Sequence, residues 1–296
     1  MGFVYLGDLI MKTFHYILIL VALAILSVGC KKEGCTSSCA TNYDSKAKKD
    51  DGKCTGCTDP DAANYCEGAS IDNGSCTYDH IQLSIEMLHN IGSSSVEFDT
   101  MQYVNAHGNT YSVEKLRYFV SDFYLVGNGV PNVLIDEIHY VDAREPSTLT
   151  FVPNQTIPNG NYSGISFVFG ISDNKNTSGL FVNPPESNMS WPDVMGGGYH
   201  FMKLEGYHDD AGVDKSFLAH TGGLNDEALH VNVTLANSAF TADGTDRTLY
   251  LSMDINNWFE NPNTLDLNNM AHIMADSTKQ HQMQENGWDV FTATIQ

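Results

Sequence analysis

The larger part of the chain lacks cysteine, since all seven cysteines of the 296 residues lie at or before Cys76. No thiolate is therefore available to a catalytic site further along. The sequence also contains no G-x-S-x-G, no glycine-rich phosphate loop and no H-E-x-x-H, the signatures of hydrolases, nucleotide-binding proteins and zinc proteases. We accordingly predict that the protein is not an enzyme.

Positive charge is scarce as well. Only 15 lysines and arginines accompany 36 acidic residues, which gives a net charge of −21. Such a surface repels nucleic acid and anionic lipid headgroups, whereas it does not repel metal cations. Hydrophobic residues make up 42% of the chain, which is enough for a sizeable core and indicates one main globular domain with a small addition.

The first residues have the layout of an export signal. From Met11, the expected start, to Cys30 a lysine, a hydrophobic stretch and a small residue precede the cysteine. The final five letters, LSVGC, resemble a bacterial lipobox with Ser27 in a position where an aliphatic residue is commoner. We predict a signal segment over residues 1–30, lipidation at Cys30 and an outer-membrane lipoprotein of Bacteroidetes type on the periplasmic or cell-surface face. A plain signal peptide or a single membrane anchor is the alternative.

A cysteine-rich segment follows over residues 31–77 and repeats with a period of 22: GCTSSCATNYDSKAKKDDGKC from Gly34 matches GCTDPDAANYCEGASIDNGSC from Gly56. An even number of cysteines in an exported segment implies disulfides. The six candidates are Cys35, Cys39, Cys54, Cys57, Cys66 and Cys76. Cys39 and Cys66 break the register of the repeat, which suggests that they pair with each other. The spacing does not fix the connectivity.

The repeat resembles the GCTDPxAxNYxxxAxxDDGSC units of bacterial surface proteins. Its Asp50-Asp51-Gly52 and Asp72-Asn73-Gly74 offer the oxygen ligands that calcium binds. The same residues commonly form simple turns, and we favour turns because no full calcium-loop spacing is present. The segment is then a disulfide-stapled spacer between the membrane and the main domain.

Residues 78–296 alternate between apolar and polar side chains, which places one face of each strand in a core and indicates antiparallel sheets. Four such runs are Ile81–Met87, Ile165–Ile171, Val231–Leu235 and Leu249–Ile255. We predict an all-β domain, an antiparallel β-sandwich with long loops. One short C-terminal helix is predicted where Met270, Ile273 and Met274 recur at helical spacing, with Gly287 beyond it.

The main domain is rich in imidazole and thioether groups. Its ten histidines are His80, His89, His107, His139, His200, His208, His220, His230, His272 and His281, and methionines cluster at 189, 195 and 202. Imidazole suits copper and zinc, and soft sulfur selects the cuprous ion. Taken singly, a histidine is more commonly a surface or hydrogen-bonded residue than a ligand, and Trp191 is by default a packed aromatic.

An ordered series of motifs resembles the MbnP-like family over about residues 80–295. The motifs are LRYFVSDFYL from Leu116, IHYVD from Ile138, FVFGISDN from Phe167, NMSWPDVMGGGYHFMKLEG from Asn188, FLAHTG from Phe217 and EN at Glu285. The family contains methanobactin-associated periplasmic copper-binding proteins. The resemblance implies a β-sandwich that binds copper through histidines and, in some members, a tryptophan oxidised to kynurenine by a partner di-haem enzyme.

The resemblance places three residues of this chain on family positions: His139 on the Tyr-His-Leu-Val-Asp histidine, His220 on the His-x-Gly histidine and Trp191, as a modified residue, on the Met-x-Trp tryptophan. Met195 and His200 stand where the family commonly has an aromatic region and a lysine, and they add two candidate ligands. Copper, favoured as Cu(I), is therefore predicted at His139 and His220, with His200 and Met195 as further donors.

The predicted function is copper binding for uptake, storage or delivery. A di-haem cytochrome c peroxidase-like enzyme and a TonB-dependent receptor are the expected partners. The alternative is a surface interaction module that binds a protein or glycan through exposed aromatics. Ring nitrogens of His139, His200 and His220 within about 4–5 Å of one point favour the metal, whereas wide separation favours the module.

Overall fold

The computed structural model describes residues 31–60, 62–224, 227 and 229–296. The predicted signal segment, including Cys30, lies outside the described residues. The chain divides into two compact units between Tyr78 and Asp79. Within the described part of the chain, no helix is both long enough and apolar enough to cross a membrane.

The N-terminal unit is held together by three disulfides. Cys35 pairs with Cys54 and Cys57 with Cys76, each over a separation of 19 residues, so that each repeat closes its own loop. The third bond joins Cys39 to Cys66 across the repeats, as their broken register suggests. The described residues of the unit include two short strands, which pair in parallel: β1 (Thr55–Gly56) and β2 (Ile71–Asp72). Four of the six half-cystines are buried and form much of its small core.

Asparagine side chains explain part of the 22-residue repeat. The amide of Asn42 accepts a hydrogen bond from the backbone N–H of Thr55 (2.9 Å) and donates to the carbonyl of Lys53 (2.7 Å). Asn64 makes the equivalent two contacts in the second repeat. Each asparagine thus satisfies backbone groups that no strand partner reaches.

The acidic loops of the repeats have the geometry of turns. The carboxylate of Asp50 accepts from the N–H of Gly52 (2.6 Å), and that of Asp72 accepts from the N–H of Gly74 (3.2 Å). Both glycines have positive φ, +69° and +70°, a conformation that residues with a Cβ rarely adopt. These contacts correspond to the turn interpretation that we favoured over calcium ligation.

The second unit, residues 79–296, consists mainly of β-strands and the loops between them. In chain order they are β3 (His80–Ile81), β4 (Leu83–Ile91), β5 (Ser94–Ser95), β6 (Tyr103–Val104), β7 (Thr110–Tyr111), β8 (Lys115–Gly127), β9 (Val133–Asp142), β10 (Thr150–Phe151), β11 (Ile157–Pro158), β12 (Gly160–Phe169), β13 (Met202–Asp210), β14 (Val213–Thr221), β15 (Val231–Leu235), β16 (Phe240–Ala242), β17 (Arg247–Asp254) and β18 (Phe291–Ile295). Short 3-10 helices lie at Pro146–Thr148, Glu186–Met189, Asp193–Met195, Ala236–Ser238, Ile255–Phe259 and Leu267–Asn269.

Two main sheets face each other. The smaller has the order β10-β4-β17-β18, with β5 beside β4; the larger has the order β15-β12-β8-β13-β7-β6, with β9, β14 and β16 beside β8, β13 and β12. β3 and β11 form a separate pair. β4 and β17 run parallel, and the other pairs among the described strands of this unit are antiparallel. The prediction of an all-β antiparallel sandwich is confirmed, with this one parallel pair as the exception.

Period-two burial produces the core between the sheets. In β4 every second residue from Leu83 to Met87 is buried, and β17 repeats the pattern. Aromatic rings join the layers: Phe169 of the larger sheet lies 4.7 Å from Trp258 and 5.5 Å from Phe291, centroid to centroid. Rings of this size bury large apolar areas, so they contribute much of the stability of the sandwich.

In the described part of the second unit, the α-helix α1 covers Ser277–Asn286 and begins later than predicted. Met270 and Ile273 are buried in the main core, but they lie in the irregular segment that precedes the helix. Their helical spacing was therefore misleading. The helix begins where Asp276 accepts a hydrogen bond from the N–H of Lys279 (3.1 Å), the contact of an N-cap, and it ends before Gly287, as predicted.

Buried His89 on β4 makes the stability of the sandwich dependent on pH. Its Nε2 lies 3.0 Å from the hydroxyl of Tyr118, and burial lowers its pKa from 6.5 to about 4. His89 binds a proton more readily in the unfolded chain than in the folded one. The neutral buried imidazole therefore makes its full contribution to the free energy of unfolding above pH 6.5, and this contribution is lost as the pH falls toward 4. We expect the free energy of unfolding to fall between about pH 7.5 and about pH 4.5 by about 2 kcal/mol more in the unaltered protein than in His89→Gln. Denaturant titrations at the two pH values measure the difference, and equal pH dependence in both proteins would contradict the assignment.

Candidate metal site

The loop between β12 and β13, residues 170–201, has a core of its own. In an outer cluster, buried apolar side chains of the loop pack with those of neighbouring segments: Phe119, Tyr140, Ile171, Met189, Tyr199, Phe201, Leu224 and Leu229. Phe119 follows Tyr118 of the main core along β8, so its side chain points to the opposite face of the sheet. Phe181 stacks on Phe119 with centroids 5.5 Å apart. The loop is therefore packed onto the outside of the larger sheet.

Glycine allows this loop to turn back on itself. Gly198 has φ +80°, and a Cβ there would lie 2.5 Å from Oδ1 of Asn176, which accepts the N–H of Tyr199 (2.9 Å). The carbonyl of Gly198 in turn accepts the N–H of Trp191 (2.9 Å). The glycine run thus permits the close return of the chain that brings Trp191 and His200 together.

Trp191 is a buried side chain, only 2% exposed. Its six-membered ring lies against Gly222, where a Cβ would stand 2.6 Å from Cε3 of the tryptophan. The indole Nε1 is buried without a hydrogen-bond partner among the described residues. Because Gly222 has no Cβ, it leaves the space at the end of β14 that the ring of Trp191 occupies.

Three aromatic side chains form a continuous row at this place. The rings of Trp191 and His200 meet edge to face with centroids 4.7 Å apart, and those of His200 and His220 meet in the same way at 5.2 Å. His200 precedes β13 and His220 lies near the end of β14, which pairs with β13. Two of the four predicted ligands are thus brought together, beside the predicted modified residue.

His200 is held as a neutral imidazole. Its Nδ1 lies 2.9 Å from the carbonyl oxygen of Met189, and because a carbonyl only accepts, Nδ1 carries the hydrogen. Burial, assisted by the charge of Lys203, lowers the pKa of His200 to about 3. Nε2 of His200 consequently keeps a free lone pair at neutral pH.

A carboxylate that the sequence patterns did not single out supports His220. Oε1 of Glu205 on β13 lies 2.9 Å from Nε2 of His220, and Oε2 accepts a hydrogen bond from Nζ of Lys115 (2.7 Å). The His220 contact, and to a smaller degree Lys115, lowers the pKa of Glu205 to about 2 against the opposing effect of burial. These contacts favour the ionised form of the Glu205 carboxylate.

His139 lies elsewhere in the larger sheet. Its ring stacks on Phe151 (centroids 4.0 Å apart), its Nε2 lies 3.0 Å from the carbonyl oxygen of Thr148, and its Nδ1 lies 3.5 Å from a carboxylate oxygen of Asp136. β9, which carries His139, is separated from β14 by β8 and β13. Three strand spacings of about 4.8 Å amount to about 14 Å, which is too far for His139 and His220 to share one ion.

The methionines pack rather than converge. Half-buried Met195 packs against the outer cluster, whose members include Met189, and Met202 is fully buried in the main core. Thioethers commonly fill such gaps. Across the described residues, no group of three or more histidine, cysteine, aspartate or glutamate side chains is placed to hold a metal ion. The candidate site is the pair His200 and His220.

Most of the second unit matches a known protein family. The model of the MbnP family matches residues 80–276, well over half of the chain. The chain belongs to the MbnP family. The matched MbnP region contains the histidine pair, Trp191 and Glu205, and it begins after the cysteine repeats. A solved structure, MbnP from Methylosinus trichosporium, is similar with a TM-score of 0.49 at 15% sequence identity, over 72% of this chain and 98% of that chain. No curated protein matches this MbnP-family chain.

Proposed function

We propose that the protein is an exported lipoprotein that binds copper(I) between His200 and His220 for uptake, storage or delivery. The single observation that carries the proposal is the contact of the two imidazole rings, 5.2 Å apart between centroids, beside a buried tryptophan. Membership of the MbnP family supports a copper-related, methanobactin-associated role.

The donor set favours copper(I) over zinc. Two neutral imidazoles suit the cuprous ion, which accepts nearly linear two-nitrogen coordination, whereas protein zinc sites supply three or four ligands. Metal–nitrogen bonds of about 2 Å require only small rotations of rings that already lie this close. No catalytic step is part of the proposal.

Local charge also favours a monovalent ion, in contrast with the acidity of the whole chain. The Lys203 charge acts on His200, and its Nζ donates to the carbonyl of Asn188 rather than to a carboxylate. Glu205 supplies one negative charge, which Lys115 balances. A second unit of positive charge on the metal would therefore add repulsion from Lys203 in a partly buried place.

Export and partners complete the proposal. Lipidation at Cys30 would place the domain outside the cytoplasm, where a di-haem peroxidase-like enzyme or a TonB-dependent receptor could exchange electrons or copper with it. Mass spectrometry of the membrane-extracted chain tests the anchor, since diacylglycerol on Cys30 gives a defined mass increase and Cys30→Ser removes it.

Metal content tests the copper proposal. We expect the exported chain to retain one copper ion after loading with Cu(I) under reducing-agent-free anaerobic conditions and gel filtration, and to retain no stoichiometric zinc after the same treatment with Zn²⁺. Elemental mass spectrometry measures both. Copper well below one ion per chain, or equal retention of zinc, would contradict the proposal.

The alternative, a surface interaction module, is supported by the wide separation of His139 from His200 and His220 and by exposed aromatics. Trp288 is 62% exposed, and Tyr43 and Tyr65 occupy equivalent exposed positions in the two repeats. Such side chains commonly contact partners. Failure to retain copper would favour this function, and loss of partner or glycan binding in Trp288→Ser would test it directly.

A further inference from the structure

We propose that Glu205 is a positioning residue that fixes the tautomer of His220, so that Nδ1 of His220 and Nε2 of His200 are the two atoms that bind copper(I). The inference rests on the proposed function, because it names the ligand atoms of the same site. It assigns a role to a carboxylate that makes no predicted contact with the metal.

The sheet register brings Glu205 to His220. Glu205 on β13 pairs with Leu218 on β14, and His220 lies two residues further along the same strand. Side chains two residues apart on a strand share a face, so Glu205 and His220 are diagonal neighbours across the pair, within reach of a long side chain. On the other side Glu205 pairs with Lys115 of β8.

The carboxylate is held at both oxygens. Oε1 faces Nε2 of His220 at 2.9 Å and Oε2 faces Nζ of Lys115 at 2.7 Å. Rotation of the carboxylate away from His220 would break the contact with Lys115 as well. A group fixed in this way can orient an imidazole ring.

The proton on His220 follows from this arrangement. An ionised carboxylate only accepts, so Nε2 of His220 carries the hydrogen and Nδ1 carries the lone pair. At His200 the carbonyl of Met189 has the opposite effect, because it accepts from Nδ1 and leaves Nε2 open. The two histidines thus present different ring nitrogens, each backed by an acceptor on its other nitrogen.

Such acceptors are typical of metal-binding histidines. A ligand nitrogen must be unprotonated, and an acceptor on the opposite N–H fixes the ring and makes the ligand nitrogen more basic. Removal of a supporting acceptor of this kind typically costs 10- to 100-fold in metal affinity. Glu205 is therefore expected to act on copper affinity through His220.

Two variants separate positioning from simple structural support. Glu205→Gln keeps a carbonyl oxygen that can accept from Nε2–H, whereas Glu205→Leu removes the acceptor and keeps a similar size. Long-range ¹H–¹⁵N correlation spectra of the metal-free full chain report which nitrogen of each histidine carries the proton. Competition with a coloured Cu(I) chelator reports the affinity, and thermal unfolding confirms that both variants remain folded.

We expect His220 in the Nε2–H form and His200 in the Nδ1–H form in the unaltered chain. Glu205→Gln should keep this form of His220 and most of the affinity, whereas Glu205→Leu should mix the tautomers of His220 and weaken Cu(I) binding about 10- to 100-fold. His220 in the Nδ1–H form, or unchanged tautomer and affinity in Glu205→Leu, would overturn the inference. Copper binding by a chain whose His220 has the Nδ1–H form would overturn this inference alone. If the unaltered chain shows the expected tautomers but binds no copper, the proposed function and the ligand role of the two nitrogens are overturned together.

Discussion

Alanine at either His200 or His220 is expected to lower the copper(I) affinity of the protein at least about 100-fold, which exceeds the usual cost of losing a supporting acceptor. Each substitution removes one of two donors, and the remaining imidazole alone cannot hold the ion at submicromolar copper. The rings are neighbours at 5.2 Å, and within the described ranges no further histidine, cysteine or carboxylate joins them in a group that could hold the ion. Competition with a Cu(I) chelator measures the affinity of each variant.

His139→Ala and Met195→Leu are the matched controls, since both residues were predicted as ligands from the sequence. His139 contacts Phe151 and the carbonyl of Thr148, and Met195 packs on the outer cluster. We expect both variants to keep copper affinity within a few-fold of the unaltered protein. A loss in His139→Ala as large as that in His220→Ala would show that the ion is bound elsewhere.

Gly222→Ala is expected to displace Trp191 and to destabilise the protein by about 1–3 kcal/mol, the usual cost of overpacking a filled site. The new methyl group would stand 2.6 Å from the ring of the buried tryptophan, so the ring or the backbone has to shift to admit it. Movement of Trp191 would also release the edge of His200, 4.7 Å away between centroids. Copper affinity should therefore fall together with stability.

Gly223→Ala provides the control for this substitution. Among the described residues, a Cβ at Gly223 would meet the carbonyl oxygen of Glu227 alone, at an ordinary distance of 3.6 Å. We expect wild-type unfolding midpoints and an unchanged tryptophan emission spectrum in Gly223→Ala, and changes in both for Gly222→Ala. Equal behaviour of the two variants would contradict the claim that the ring of Trp191 needs the space left by the missing Cβ of Gly222.

Alternation of apolar residues was sufficient to predict the sandwich. The runs at Ile81–Met87, Ile165–Ile171, Val231–Leu235 and Leu249–Ile255 correspond to β4, β12, β15 and β17, because burial of one face imposes a period of two wherever a sheet covers a core. The helix was placed too early. Its own residues are mostly polar, and its position depends on the cap at Asp276 rather than on an apolar stripe.

The site was predictable only in part. His220 was identified by its position in a motif. His200 was noticed because it departs from the family pattern, and the pairing of β13 with β14 brings it beside His220. Glu205 escaped notice because its contact depends on the register between two strands, which no local pattern contains. His139 and Met195 were grouped with the pair by motif and by chemistry, and the strand order separates His139 from it.

X-ray absorption at the copper edge of the Cu(I)-loaded protein tests the central claim most directly, because it reports the donor atoms of the bound ion. The account predicts two nitrogen donors of imidazole type at about 2 Å and no sulfur, with the signal lost in His200→Ala combined with His220→Ala. A sulfur donor from methionine, or a copper site that persists unchanged in that double variant, would contradict it.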